Sequence, residues 1–237
     1  MIKGNIYMYR LTQQVFVAAL TMSLAAPLFA MSDRNDDVAR IQHSREVFEE
    51  VMQTPDKGVP REILEGAQCV AIVPSEKSFA IGFGGTYGKG IAMCRTAGGW
   101  AAPMFIHVGG GSWGLQLGGE STDVIMIFRS RKGLESLLTN KMKIGGDMSA
   151  AAGPVGRNAS AATDAGMQAE ILTYARSRGA FAGISLNGDV VQPDTSGDKA
   201  LYGGSSWKQI LAGKVTAPSE AHKLEAALDR YSRSEGK

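Results

Sequence analysis

Two cysteines, three histidines and 7% aromatic residues are a small supply for a chain of 237 residues. Scattered histidines and two separated cysteines, Cys69 and Cys94, make no metal-ligand cluster, so neither a metal nor another cofactor is expected. A charge excess is lacking too: 25 Lys and Arg face 23 Asp and Glu. That balance argues against the broad basic surface of a nucleic-acid binder. Long hydrophobic runs are also missing. The run from Val15 to Phe29 has 15 residues and is interrupted by Thr21, Ser23 and Pro27, whereas a spanning helix needs roughly 20. The first 30 residues contain no acid. Lys3 and Arg10, then the apolar run, then Leu28-Phe29-Ala30 follow the layout of a secretory signal peptide. Residues 1–30 are therefore expected to be a cleaved leader and residues 31–237 a periplasmic or exported domain. Without Lys3 and Arg10 the formal net charge is zero, so any electrostatic partner must meet a local patch.

Glycine is abundant instead, with 13 in the 38 residues from Gly82 to Gly119. Apolar residues alternate through this stretch: Ile81, Phe83 and Tyr87 share one parity, as do Trp113, Leu115 and Leu117. Period two predicts strands, and a glycine face permits close packing, bulges and a curled sheet. Val124 to Phe128 is apolar on both faces, as a central strand requires. Helices are predicted from Val38 to Met52 behind Asp36 and Asp37, after Pro60, from Ser130 towards Asn140, and around Trp207 to Leu211 and Ala221 to Tyr231. Residues 169–177 fit a helix by composition and a strand by alternation. Asn187-Gly188 between Phe181 to Leu186 and Val190 to Val191 predicts a hairpin turn. With no linker, the pattern is a single α+β domain: a Gly-rich, curled, mainly antiparallel sheet flanked by N- and C-terminal helices.

In an oxidising compartment Cys69 and Cys94 either pair or remain two buried thiols. Cys69 opens one predicted strand and Cys94 closes another. A simple three-strand meander would put them at opposite ends of the sheet, so a disulfide requires those strands to meet antiparallel or to cross.

Several catalytic strings fail on context. Gly109-x-Gly111-x-x-Gly114 has dinucleotide spacing but is followed by a strand pattern, not the helix that receives a pyrophosphate. Tyr87-Gly-Lys-Gly90 lacks the first glycine and the hydroxyl of a phosphate loop. Gly110-Gly-Ser112-Trp-Gly114 matches a nucleophile elbow without the strand-to-helix turn, and only His222 follows it. A serine hydrolase is thus a less favoured reading than a binding module, and no enzyme activity is expected. Residues 129–143 hold Arg129, Arg131, Lys132, Lys141 and Lys143 against Glu135 alone, around Leu134, Leu137 and Leu138. Such a segment either meets an anionic lipid surface, through the bases with Leu134 and Leu138, or is a solvated loop with a core-facing helix. Arg157, Arg176 and Arg178 are further candidates for the same surface.

Cys69-Val-Ala-Ile-Val-Pro74, Gly88-Lys-Gly90, Gly99-Trp-Ala-Ala-Pro103, Gly110-Gly-Ser-Trp-Gly-Leu-Gln116, Ser121-Thr-Asp-Val124, Ala151-Ala-Gly-Pro-Val-Gly-Arg157, Phe181-Ala-Gly183 and Ala200-Leu-Tyr-Gly203 together resemble the SYLF domain, over residues 48–230. The resemblance implies a non-enzymatic lipid-binding module, with a fold related to BON-type domains. Eukaryotic members recognise phosphoinositide membranes, and some fungal members bind actin. For residues 169–177 it favours strand. Two functions follow as expectations: a phospholipid binder of the cell envelope that meets anionic membrane surfaces, and, as the alternative, a protein-interaction or scaffolding module.

Overall fold

The computed structural model describes residues 34–54, 58–81, 83–112, 118–140, 142–155, 168–177, 180–183 and 188–233. The expected leader and the candidates Lys141, Arg157 and Arg178 lie outside these residues.

The first element among the described residues is helix α1 (residues 34–53), which buries Ile41, Phe48 and Val51 along one stripe. Asp36 and Asp37 lie inside its first turn, not at its cap, and Asp37 is buried. After α2 (Arg61–Glu65) come β1 (Cys69–Ile81), β2 (Phe83–Thr96), β3 (Gly99–Trp100), β4 (Met104–Ser112) and β5 (Gly118–Phe128). Helix α3 (Arg131–Asn140) follows, then β6 (Ala150–Ala152), β7 (Ile171–Ser177), β8 (Ala180–Gly183) and β9 (Val190–Pro193). The chain closes with α4 (Thr195–Tyr202), α5 (Trp207–Leu211) and α6 (His222–Ser232). The nine strands form one mixed sheet of order β6-β7-β5-β1-β2-β4-β9, with β3 added to β2 and β8 to β7. Only β6 against β7 is parallel among these pairs.

Alternation along the central strands explains why helices cover both faces. Val70 and Ile72 of β1 point into a core with α1, α2 and α6, where Phe48, Leu64 and Leu224 are fully buried. Cys69, Ala71 and Val73 point into a second core with α3 and α5, through Leu134, Leu137 and Leu211. The run from Val124 to Phe128 is buried on both sides, as its sequence required. β1 and β2 are the arms of one long hairpin whose register shifts between Ile72 and Lys77. β1 shifts against β5 at the same level, between Val73 and Glu76, and the paired irregularities bend the sheet. There Gly90 is obligatory, because a Cβ on it would lie 2.3 Å from the Ile72 carbonyl oxygen.

The hairpin sets Cys69 directly opposite Cys94, and the two form a disulfide with Cα atoms 4.0 Å apart. The antiparallel condition is met because the two strands are neighbours, not the outer members of a meander. Residues 171–177 are strand, and Ser130 caps α3, its Oγ accepting from the Gly133 N–H at 3.0 Å. The expected hairpin at Asn187-Gly188 is corrected. β8 pairs with β7 and β9 pairs with β4, at opposite edges of the sheet. Gly188 does take a positive φ of 91°, but its N–H goes to the Ile144 carbonyl. The glycine supplies a backbone angle and does not choose the partner strand. Beside it, a strap runs from one edge to the other: Lys143 bridges Val190, and Ala150 pairs with Ile171.

Candidate functional site

Strands β2, β4 and β9 place two cross-strand rows on one face of the sheet: Tyr87, Gly109 and Val190, then Lys89, His107 and Gln192. The next residues of the same parity, Ile91 and Phe105, are buried under the helices. Helical cover therefore ends between Phe105 and His107, and charged groups gather at that margin. Asp194 caps α4, accepting from the Gly197 N–H at 3.2 Å and from the Ser196 hydroxyl at 2.5 Å. Its second oxygen accepts from Arg40 Nη1 at 3.0 Å, across 154 residues of sequence. Arg40 also pairs with Asp37 at 3.0 Å and lies over the Phe105 ring at 4.9 Å. The Phe105 N–H donates to Asp198 Oδ1 at 2.8 Å. His107 Nε2 stands 3.4 Å from Asp194, and Lys89 Nζ stands 3.9 Å from it.

These contacts separate two neighbouring carboxyls. Burial opposes ionisation of Asp194, but the bonds from Ser196, Arg40 and Gly197 prevail and hold it at about 2. Asp198 is pushed up to about 7 by burial, with the charges of Asp194 and Asp37 adding to the effect against its one backbone hydrogen bond. Burial lowers His107, against the pull of Asp194. Sequence reasoning missed this cluster and α4 with it. The available signal was Asp194 as an N-cap and Gly203, at φ 66°, closing the helix.

The basic candidates are dispersed. Arg129, Lys132 and Lys143 are exposed. Arg131 is turned inward and donates to the Leu211 carbonyl at 2.7 Å and to that of Arg95. Arg176 binds Asp123 through Nε at 3.0 Å and Nη2 at 2.7 Å, and also reaches Glu50. Leu134 and Leu138 are buried in the core at 0% and 6% exposure. This corrects the expectation that they meet lipid, because exposing two buried leucines would cost roughly 3–6 kcal/mol. Among the described residues, no group of three or more His, Cys, Asp or Glu could hold a metal ion. No described helix is long and apolar enough to cross a membrane.

A family model described as "Ysc84: Las17-binding protein actin regulator" matches residues 109–231, from β4 to α6. The chain is 34% identical over 176 residues to the SH3 domain-containing protein PJ696.02 of Schizosaccharomyces pombe, covering 72% of this chain and 41% of that protein. It is 32% identical over 182 residues to the SH3 domain-containing YSC84-like protein 1 of Xenopus laevis, covering 75% and 54%. It is also 32% identical over 179 residues to the protein YSC84 of Saccharomyces cerevisiae, covering 73% and 38%. The chain thus spans between 38% and 54% of the length of these relatives. Matched by the family model over half its length and by these proteins over most of it, the chain belongs to the Ysc84 family, whose shared unit is the SYLF domain.

Proposed function

We propose that this chain is a non-catalytic protein-interaction module, acting as do relatives described as Las17-binding actin regulators. The observation that carries the reading is the family match over residues 109–231, because that span supplies much of the margin just described, including Val190, Asp194 and Asp198. The charge cluster supports it as a scaffold. Arg40 and Asp194 fix α1 and α4 to each other beside an uncovered strand face, which leaves that face in place for a partner. Co-sedimentation of the purified chain with filamentous actin tests the reading. Saturable binding at micromolar concentration is expected, and a chain that stays in the supernatant at all filament concentrations rejects actin as the partner class.

A second reading is an anionic phospholipid surface in the cell envelope, reached after removal of residues 1–30. It is supported by Arg129, Lys132 and Lys143, exposed bases with no ion pair among the described residues. Bases near a membrane contribute about 1 kcal/mol each. Flotation with phosphatidylglycerol vesicles should then be lost when all three become Glu. Mass spectrometry of the native protein should find a terminus near Met31.

A further inference from the structure

One glycine on the open face is required neither by packing nor by backbone angle. A Cβ on Gly109 would meet only the Thr86 carbonyl oxygen, at 3.4 Å, an ordinary contact, and Gly109 is not among the positive-φ glycines. Its neighbour is the opposite case: a Cβ on Gly110 would lie 2.2 Å from Asp189 Oδ1. Glycine weakens a strand, so its presence at 109 leaves space at a cost. That space is a groove of about 400 Å³ lined by Tyr87, His107, Val108, Gly109, Val190 and Gln192. Tyr87 is 48% exposed, the exposed large apolar side chain among the described residues. Its ring lies over the His107 imidazole, with centroids 6.2 Å apart and planes at 27°. His107 Nδ1 has no hydrogen-bond partner among the described residues.

The charges beside the groove are unequal. Asp36, Asp37, Asp194, Arg40 and Lys89 line the adjoining depression, so its carboxylates outnumber its cations. Lys89 shows that a cationic head reaches this field from the open side. Its ammonium is at the outer limit of contact with Asp194, 3.9 Å away, and its side chain is 46% exposed. We propose that the groove receives an arginine or lysine side chain of a protein partner, with its stem over Gly109 and its charged head between the Tyr87 ring and the Asp194 field. Aromatic faces attract such heads, and Lys89 is the internal cation that the partner displaces. The proposal rests on the protein-interaction reading and names the chemistry of the partner at this face.

The test is a titration of the isotope-labelled full chain, followed by NMR, with three probes: N-acetyl-glycyl-arginyl-glycinamide and its citrulline and glutamate counterparts. The arginine peptide should shift Tyr87, His107, Gly109, Val190 and Gln192. The citrulline peptide, equal in shape but neutral, should bind at least tenfold more weakly, and the glutamate peptide should leave these resonances unmoved. Gly109→Val should abolish the response with an unchanged circular dichroism spectrum, and Lys89→Ala should tighten binding two- to threefold. Should Gly109→Val fail to fold, Tyr87→Ala at an exposed ring gives the same reading. Equal binding of arginine and citrulline, a response elsewhere, or a response that survives both substitutions overturns the proposal. A methyl glucoside that shifts the same resonances more strongly than the arginine peptide also overturns it and assigns the groove to sugar. Actin co-sedimentation retained by Gly109→Val alongside a lost peptide response rejects the groove as the actin contact and keeps the interaction reading. Absence of co-sedimentation by the parent rejects actin without touching the peptide result.

Discussion

At the Cys94 end of β2 two guanidiniums are spent on backbone carbonyls, whereas at the Tyr87 end of the same strand a large ring stands exposed. Arg95 donates to the carbonyls of Ala67 at 2.8 Å and of Leu64 and Ser232 at 3.0 Å, and stacks on Trp100 at 4.7 Å. One guanidinium thereby satisfies acceptors near the ends of α2 and α6, while Arg131 does the same for α5. The disulfide lies beside it. At the other end, Tyr87 is exposed, His107 Nδ1 has no partner among the described residues and Asp198 titrates near neutrality. Buried, bonded guanidiniums hold a fold, and an exposed ring in an ordered setting is free to recognise something.

The comparison breaks most easily at Arg40, which anchors the margin between the two regimes. Arg40→Met should cost about 3–5 kcal/mol in urea denaturation, because it takes from the buried Asp194 and Asp37 carboxylates the guanidinium that they share. A loss below about 1 kcal/mol would mean that the cluster is hydrated and that the helical cover needs no latch. Next comes the closed end. Replacing both Cys69 and Cys94 by Ala should lose roughly 3 kcal/mol through the freed loop, while the Tyr87 and His107 resonances stay where they are. Movement of those resonances would show that the ends are coupled.

The pH profile sharpens the contrast further. The folded pKa of Asp198, about 7, lies above its unfolded value of 3.8. Its stabilising contribution is therefore complete below 3.8 and is lost as pH rises through 7. From pH 5 to pH 8 the protein should lose roughly 2 kcal/mol from this group, and Asp198→Asn should flatten the slope. Asp194 has the reverse sign: at about 2 its pKa lies below the unfolded value, so its contribution is present above 3.8 and disappears as pH falls through 2. An Asp198→Asn variant that keeps the parent's slope between pH 5 and pH 8 would refute the assignment. The smallest effect belongs to Tyr87→Ala, which should change stability by no more than about 0.5 kcal/mol. A larger loss would show that the ring is part of the packing.

Local pattern in the sequence carried the sheet a long way. Alternation through Phe83 and Tyr87 placed β2, the double-faced run from Val124 to Phe128 located β5 as a central strand, and Ser130 marked the start of α3. Pairing was less legible, since partner choice is settled by the whole sheet: Asn187-Gly188 has hairpin chemistry, yet the strands around it belong to opposite edges. The charged margin was least legible. Arg40 and Asp194 lie 154 residues apart with no motif to link them, and only the fold brings them to 3.0 Å. The basic run from 129 to 143 misled for the converse reason. Its leucines are core residues, and one of its arginines, Arg131, serves carbonyls.

The strap between Lys143 and Ala152 also sets an order of events. It cannot lock until β9 and β7 both exist, and each follows it in the chain. Loop closure over such separations is slow compared with the local β1–β2 turn. The strap is therefore expected to seat after β7 and β9 have joined the sheet. Hydrogen exchange should accordingly be fastest at Ile144 and Met148 among the bridged residues. The exposed Lys143 rides on that segment, so the chain carries part of its basic surface on a piece of the fold that waits on both edges of the sheet.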